Sequence, residues 1–195
     1  MLRVNNKIEP KDFLNFSIHF ARYKFVKTLL NDNCNNIFEL GCGNGYGSAY
    51  LAENGFNVVA TDLDHKLKIE WKKYKGIKNL KFINYENKMI NKFDAVISLE
   101  VIEHIKPNKL DAYFNLIKTN LRDGGIHISS TPRYLPMNKR SENRRIFHEK
   151  EYKINEYRKI LKKHFNNVFI FSQNDLIISD QNYENAWNFV AICTN

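Results

Sequence analysis

Apolar and polar positions along the chain fall into short blocks of two alternating periods. Phe13, Phe16, Phe20, Tyr23, Val26 and Leu30 recur at three- and four-residue steps, so residues 10–31 are predicted as an amphipathic helix. The polar run 31–36 ends it, and Ile37-Phe38-Glu39-Leu40 then forms a short apolar run stopped by glycines, the pattern of a buried strand. A helix over 46–53 closes at Asn54-Gly55. The pattern continues with a strand at 57–61, a helix at 65–75 and strands at 80–84 and 93–98. Pro107 suits the first turn of a helix running to about 121, after which Asp123-Gly124-Gly125 turns into a strand at 126–130. Residues 132–148 are polar and basic without periodicity, and are predicted as a long loop. A helix at 151–164 and strands at 168–171 and 187–193 complete the chain.

Strands alternating with helices of about ten residues predict an α/β fold, with a mostly parallel sheet covered on both faces. The 195 residues suit one domain, 1–195, without internal repeats or low-complexity linkers. Ligands of such sheets sit outside the carboxyl ends of the strands. Candidate chemistry therefore belongs to the strand-end loops.

The first such loop reads Glu39-Leu40-Gly41-Cys42-Gly43-Asn44-Gly45-Tyr46-Gly47-Ser48. Its glycines let the backbone turn sharply and approach a ligand closely. The sixth position from Gly41 is Tyr46, so a nicotinamide-type Gly-x-Gly-x-x-Gly fails, and no Gly-Lys-Ser/Thr marks a P-loop. Acids flank the loop instead: Glu39 precedes it and Asp62 ends the next strand. Carboxylates there repel a phosphate-rich ligand and suit one with an amine, a sulfonium and ribose hydroxyls. S-adenosylmethionine has that chemistry. A turn that is merely glycine-rich is the alternative.

With Val59-Ala60-Thr61-Asp62, Phe93-Asp94-Ala95-Val96-Ile97-Ser98 and Gly124-Gly125 before a strand, the chain resembles class I S-adenosylmethionine-dependent methyltransferases over residues 12–194. The resemblance implies a Rossmann-like sandwich with a mostly parallel seven-stranded sheet whose last strand is antiparallel. Residues 1–35 would form an N-terminal lid helix, and 132–148 an acceptor-side loop. The implied cofactor site comprises Glu39, Gly41, Cys42, Gly43, Gly45, Asp62, Leu63, Glu86, Asn87 and Glu100. Within it the Gly41–Gly45 backbone holds the methionine part, Asp62 accepts from the ribose hydroxyls, and Glu86 stands near the adenine amino group. Asp64 either assists Asp62 or caps the following helix.

The fourth strand runs into Ser98-Leu99-Glu100-Val101-Ile102-Glu103-His104, which resembles the Glu-Val-x-Glu-His segment of a branch containing ubiquinone-type, sugar and small-RNA O-methyltransferases. His104, with Glu103, is the candidate catalytic group, as general base for a hydroxyl. Alternatively Glu100, Glu103, His104 and the distant His148 hold a divalent cation that polarises two vicinal hydroxyls, or His104 is structural. The RNA-modifying members set their later His in Asp-His-x-Phe-Glu-Trp; here the segment is Phe147-His148-Glu149-Lys150-Glu151-Tyr152.

Phe20-Ala21-Arg22-Tyr23 resembles methyltransferases of surface-glycan and nucleotide-sugar pathways, which makes Arg22 and Tyr23 substrate-binding candidates, with core packing as the alternative for Tyr23. Composition enters last. Lys and Arg total 30 against 21 Asp and Glu, a net charge of +9. Lysine makes up 22 of those 30, beside 27 Asn and 20 Ile, a mixture that AT-rich codon usage produces whatever the function. The arginines carry more information. Arg133, Arg140, Arg144 and Arg145 are half of the chain's eight, clustered on the acceptor-side loop. Arginine's planar fork suits phosphate, so Arg133, Arg144, Arg145 and His148 are candidates for an acceptor bearing phosphate. Three cysteines without metal-ligand spacing, no 18-residue apolar run and no apolar N-terminal stretch suggest a reducing, cytoplasmic setting without a membrane span.

These readings converge on O-methylation of a sugar hydroxyl, nucleotide-linked or in a glycan. RNA ribose 2′-O-methylation with a divalent metal is the alternative. A non-catalytic binding subunit of the same fold is the third, against which the intact glycine loop and Asp62 argue.

Overall fold

The computed structural model describes residues 10–30, 34–84 and 92–195. Its sheet is built outward from β1 (Asn36–Leu40), whose Ile37 and Phe38 are fully buried. Strand β1 lies parallel between β2 (Asn57–Thr61) and β4 (Phe93–Leu99), with Phe38 opposite Val59 on one side and Val96 on the other. Beyond β2 lies β3 (Leu80–Ile83), and beyond β4 lies β5 (Leu121–Pro132), both parallel to their neighbours. The far side adds β6 (Asn167–Asn174), β7 (Ile177–Ser179) and β8 (Asn188–Thr194), giving the order β3-β2-β1-β4-β5-β8-β6-β7. The last strand, β8, is antiparallel to both neighbours, as expected. The sheet has eight strands where seven were expected, because β7 returns as a hairpin against β6. Three residues are too few to show a strand's alternation.

Successive side chains of a strand point to opposite faces. Ile37, Ala95 and Ile97 therefore pack with Val26, Leu51 and Trp71, from α1 (Pro10–Leu29), α2 (Tyr46–Glu53) and α3 (Lys68–Trp71), and with Leu30 just after α1. Phe38 and Val96 pack with Phe114, Ile117 and Leu161, from α4 (Leu110–Asn120) and α6 (Ile154–His164), joined by Phe93 from before the register irregularity at Phe93/Ala95. Both faces are covered, which explains why the central strands read as continuous apolar runs. Fully burying a side chain such as Phe38 or Phe114 contributes about 1.5–3 kcal/mol.

Several expectations are corrected. The apolar stripe of α1 is buried only toward its end: Tyr23, Val26 and, just past the helix, Leu30 are buried, whereas Phe13 and Phe16 are exposed. The helix expected at 65–75 is a broken turn, with the four residues of α3 set between 3-10 turns His65–Leu67 and Lys72–Tyr74. Strand β5 continues through Gly124-Gly125, with an irregular register between Phe93 and Ala95, instead of starting after them. The long loop expected at 132–148 is ordered. It contains a 3-10 turn Met137–Lys139 and α5 (Glu142–Phe147), whose N-cap Ser141 accepts from the Arg144 amide. Helix α6 starts three residues later than expected because Tyr152 is held in extended form, bridged to Arg133 and accepting from the Tyr134 amide. No helix among the described residues is long and apolar enough to cross a membrane.

Candidate functional site

The loop after β1 is fixed from three sides. The Gly41 and Cys42 amides donate to the Thr61 carbonyl at 2.9 and 3.0 Å. The Gly43 amide donates to Asp62 Oδ2 at 2.8 Å, while Asp62 Oδ1 accepts from the Asp64 amide at 2.9 Å. Trp71, stacked on Phe82, donates its indole N–H to the Gly43 carbonyl. Gly41 has φ +73°, and a Cβ there would lie 2.5 Å from Val101 Cγ2, so the position demands glycine. Asp64 caps the turn His65–Leu67 by accepting from the Lys66 amide, its N-cap alternative.

Glu39 lies behind this loop and lines neither cavity of the site. It is fully buried and accepts from Tyr23 Oη at 2.6 Å and from Ser48 Oγ, so it ties α1 and α2 to β1. Burial raises its carboxyl pKa above the usual range, against the opposing pull of both hydroxyls.

Two adjoining cavities open in front of the loop. One, of about 740 Å³, runs past Asp62, Leu63, Val101, His104 and Ile105. The other, of about 310 Å³, lies under α1 and is lined by His19, Arg22, Tyr23, Cys42 and Tyr46. Gly41, Gly43 and Glu100 border both, so they form one cleft with Glu100 at its waist. Glu86, expected near the adenine, and Asn87, expected in the cofactor site, lie outside the described residues.

Glu100 has φ +58°, a left-handed backbone that costs a non-glycine residue about 1–3 kcal/mol. Its amide donates to the Ser130 carbonyl, and its carboxylate accepts from Ser130 Oγ and Asn188 Nδ2, each at 2.6 Å. Arg22 is almost wholly buried. It donates from Nη1 to Gln173 Oε1 at 2.6 Å and from Nη2 to His19 Nδ1 at 2.7 Å, and Nη2 stands 3.9 Å from Glu100 Oε2.

On the far side of Glu100, the 3-10 turn Ile102–His104 splits the expected four-residue metal set. Glu103 points inward and accepts from Thr131 Oγ1, while Glu103 Oε1 is buried without a hydrogen-bond partner among the described residues. Burial, reinforced by the charge of Glu100, raises its pKa well above the carboxylate range. His104 Nδ1 donates to the Phe147 carbonyl at 2.8 Å, which leaves the Nε2 lone pair 4.0 Å from Glu103 Oε1. The His148 ring stands edge-on to that of His104, 5.0 Å away. Its Nδ1 is 2.9 Å from Glu151 Oε1, and burial, the larger influence, lowers its pKa. Glu103, His104 and His148 each offer one ligand atom within 4.8 Å of the others; Glu100 is not part of this group. One carboxylate and two imidazoles, with an orphaned carboxylate oxygen among them, suit a divalent cation.

The arginine cluster does not form the expected phosphate clamp. Buried Glu151 pairs with Arg140 Nε at 3.1 Å and with Arg144 Nε at 2.7 Å, and it also accepts from the Leu135 amide. Arg144 further donates to the Arg133 carbonyl, and Arg133 to the Glu184 carbonyl. Among the four, Arg145 is exposed. Burial alone would raise the Glu151 pKa; its partners outweigh that and lower it. Sequence reasoning missed Glu151, Gln173, Asn188 and Ser130, none of which stands in a recognisable motif.

Residues 17–173 match the family model of a methyltransferase domain. The chain belongs to that family. A ubiquinone biosynthesis O-methyltransferase of Rickettsia typhi is 40% identical over 101 residues, covering 49% of this chain and 40% of that protein. The chain spans less than half the length of this and the next curated relatives it matches. Among solved structures, the methyltransferase domain of bacterial CtHen1 superposes with a TM-score of 0.70 at 20% identity, over 91% of this chain and 100% of that one. Magnesium protoporphyrin IX methyltransferase from Synechocystis, with bound SAH, gives 0.68 at 16% identity, over 98% and 90%. The methyltransferase domain thus has the expected Rossmann-like fold. S-adenosylmethionine is the cofactor its class implies, and the cleft has matching chemistry: a carboxylate, an apolar stretch, then a half-buried acid beside a buried guanidinium.

Proposed function

We propose that the protein transfers a methyl group from S-adenosylmethionine to a hydroxyl that has an oxygen neighbour, as on a sugar diol or a dihydroxylated ring. The observation that carries this reading is that His104 and Asp62 line one cavity. Donor and acceptor chemistry then meet across Glu100.

On this reading Asp62 accepts from the ribose hydroxyls, and Leu63, Val101 and Ile105 enclose the adenine. The positive group on the methionine side is Arg22, so we assign it to the cofactor's carboxylate and not to the acceptor. The sulfonium already activates the methyl, so catalysis is chiefly alignment of acceptor oxygen, methyl and sulfur. Glu103, His104 and His148 would hold a divalent cation, which supplies Lewis acidity toward the two acceptor oxygens. A His104 Nε2 committed as ligand cannot also take the hydroxyl proton, so the base and ligand roles exclude each other. Burial lowers the His148 pKa, a shift toward the neutral form that a ligand requires. Arg133, Arg140 and Arg144 are engaged by Glu151 and backbone carbonyls, which leaves the exposed Arg145 as the member of the cluster free to meet a phosphate on the acceptor. The name of the Rickettsia typhi relative adds weight to O-methylation.

The test is to incubate the protein with labelled S-adenosylmethionine and separate panels of nucleotide sugars, free glycans, catechols and RNA oligonucleotides. A methylated diol or catechol is the expected product, found by its added CH₂. Methylation confined to an amine, a carboxylate or a base or internal ribose of RNA overturns the acceptor class.

A further inference from the structure

Gln173 on β6 and Asn188 on β8 are direct cross-strand partners, so their side chains leave the same face of the sheet. Both are buried. One holds Arg22 and the other holds Glu100, each through a 2.6 Å hydrogen bond. The Gln173 amide has a single consistent orientation: its Nε2 donates to the Ile18 and Asp175 carbonyls, at 2.8 and 3.1 Å, which leaves Oε1 facing the guanidinium. Arg22 comes from helix α1, 151 residues earlier in the chain, and Glu100 from the end of β4. A neighbouring pair on the sheet thus brings together two charges from unconnected elements.

Those charges stand 3.9 Å apart where both line the smaller cavity. Side by side, a fixed guanidinium and a fixed carboxylate complement the carboxylate and ammonium of an α-amino acid head. From this we propose that Gln173 and Asn188 are positioning residues that set the Arg22–Glu100 spacing for the amino-acid head of the cofactor. The inference rests on the reading of the cleft as an S-adenosylmethionine site and assigns roles to two residues that touch neither donor nor acceptor. Because Gln173 also holds the Ile18 carbonyl, the same contact fastens the lid helix over the head group.

The experiment compares calorimetric affinities for S-adenosylhomocysteine and 5′-methylthioadenosine, which shares the adenosine and sulfur but lacks the amino-acid head. Wild-type protein prefers S-adenosylhomocysteine. Gln173→Ala and Asn188→Ala should each weaken S-adenosylhomocysteine at least tenfold and leave 5′-methylthioadenosine within twofold. Gln173→Glu and Asn188→Asp, nearly identical in shape, serve if the alanine variants do not fold. The first sets a carboxylate against Arg22 and the second sets one against Glu100, with the same selective loss expected. Equal losses for both ligands, or no loss for either, overturn the proposal. Wild-type protein that binds neither ligand overturns the cofactor reading itself.

Discussion

Tyr23 on α1 donates a 2.6 Å hydrogen bond to the buried carboxylate of Glu39, and its ring lies where a side chain on residue 47 would stand. A Cβ on Gly47 would meet Tyr23 Cζ at 1.9 Å. Gly47→Ala should therefore push α1 off α2 and weaken cofactor binding, read by calorimetry. Tyr23→Phe keeps the ring and leaves Glu39 one donor short. That should cost about 1–3 kcal/mol in denaturant unfolding, the scale of an unsatisfied buried polar group.

Glu151 should matter more for the acceptor side than any arginine around it. Glu151→Gln removes the charge that Arg140, Arg144 and His148 share. Breaking a buried pair in this way costs about 3–5 kcal/mol. Faster amide hydrogen exchange across 133–152 is the expected signature; an unchanged exchange pattern contradicts this role for Glu151.

His127 sets an acid limit on stability. It is fully buried on β5, donates from Nδ1 to the Val96 carbonyl, and stacks on Phe165. Burial lowers its pKa from 6.5 to about 4. Between those values the unfolded chain binds a proton that the folded chain refuses. The neutral ring's contribution is thus complete above pH 6.5 and lost as pH falls through 4, by about 3 kcal/mol. The stability advantage of wild type over His127→Gln should shrink by that amount from pH 7 to pH 4 in urea titrations.

If His104 serves the acceptor as proposed, His104→Ala should lower kcat at least a hundredfold while S-adenosylhomocysteine affinity stays within threefold. Chelation discriminates its two roles. Loss of turnover in EDTA, restored by manganese or magnesium, supports the ligand role. Turnover indifferent to EDTA assigns His104 to proton removal.

What could be read from the sequence was local. Glu39 to Ser48, Asp62 and the alternating apolar runs announce themselves because neighbouring residues create their geometry. Gln173, Asn188 and Glu151 do not, since their roles arise where strand register or a turned segment joins distant parts of the chain. Asn188 reaches Glu100 across 88 positions. Charge alone likewise could not tell an arginine aimed at solvent from one aimed at Glu151. One buried acid reversed the reading of the cluster. Glu100 was misgrouped for a related reason: its positive φ breaks the helical turn that would have set it beside Glu103 and His104.

The account stands on Asp62, which orders the glycine loop and faces the cavity. Calorimetric titration of S-adenosylhomocysteine into wild type and Asp62→Ala, with folding checked by circular dichroism, is its most direct test. Saturable 1:1 binding by wild type, weakened at least tenfold in a folded Asp62→Ala protein, is the predicted result. No binding by wild type, or equal affinity in the variant, would contradict it.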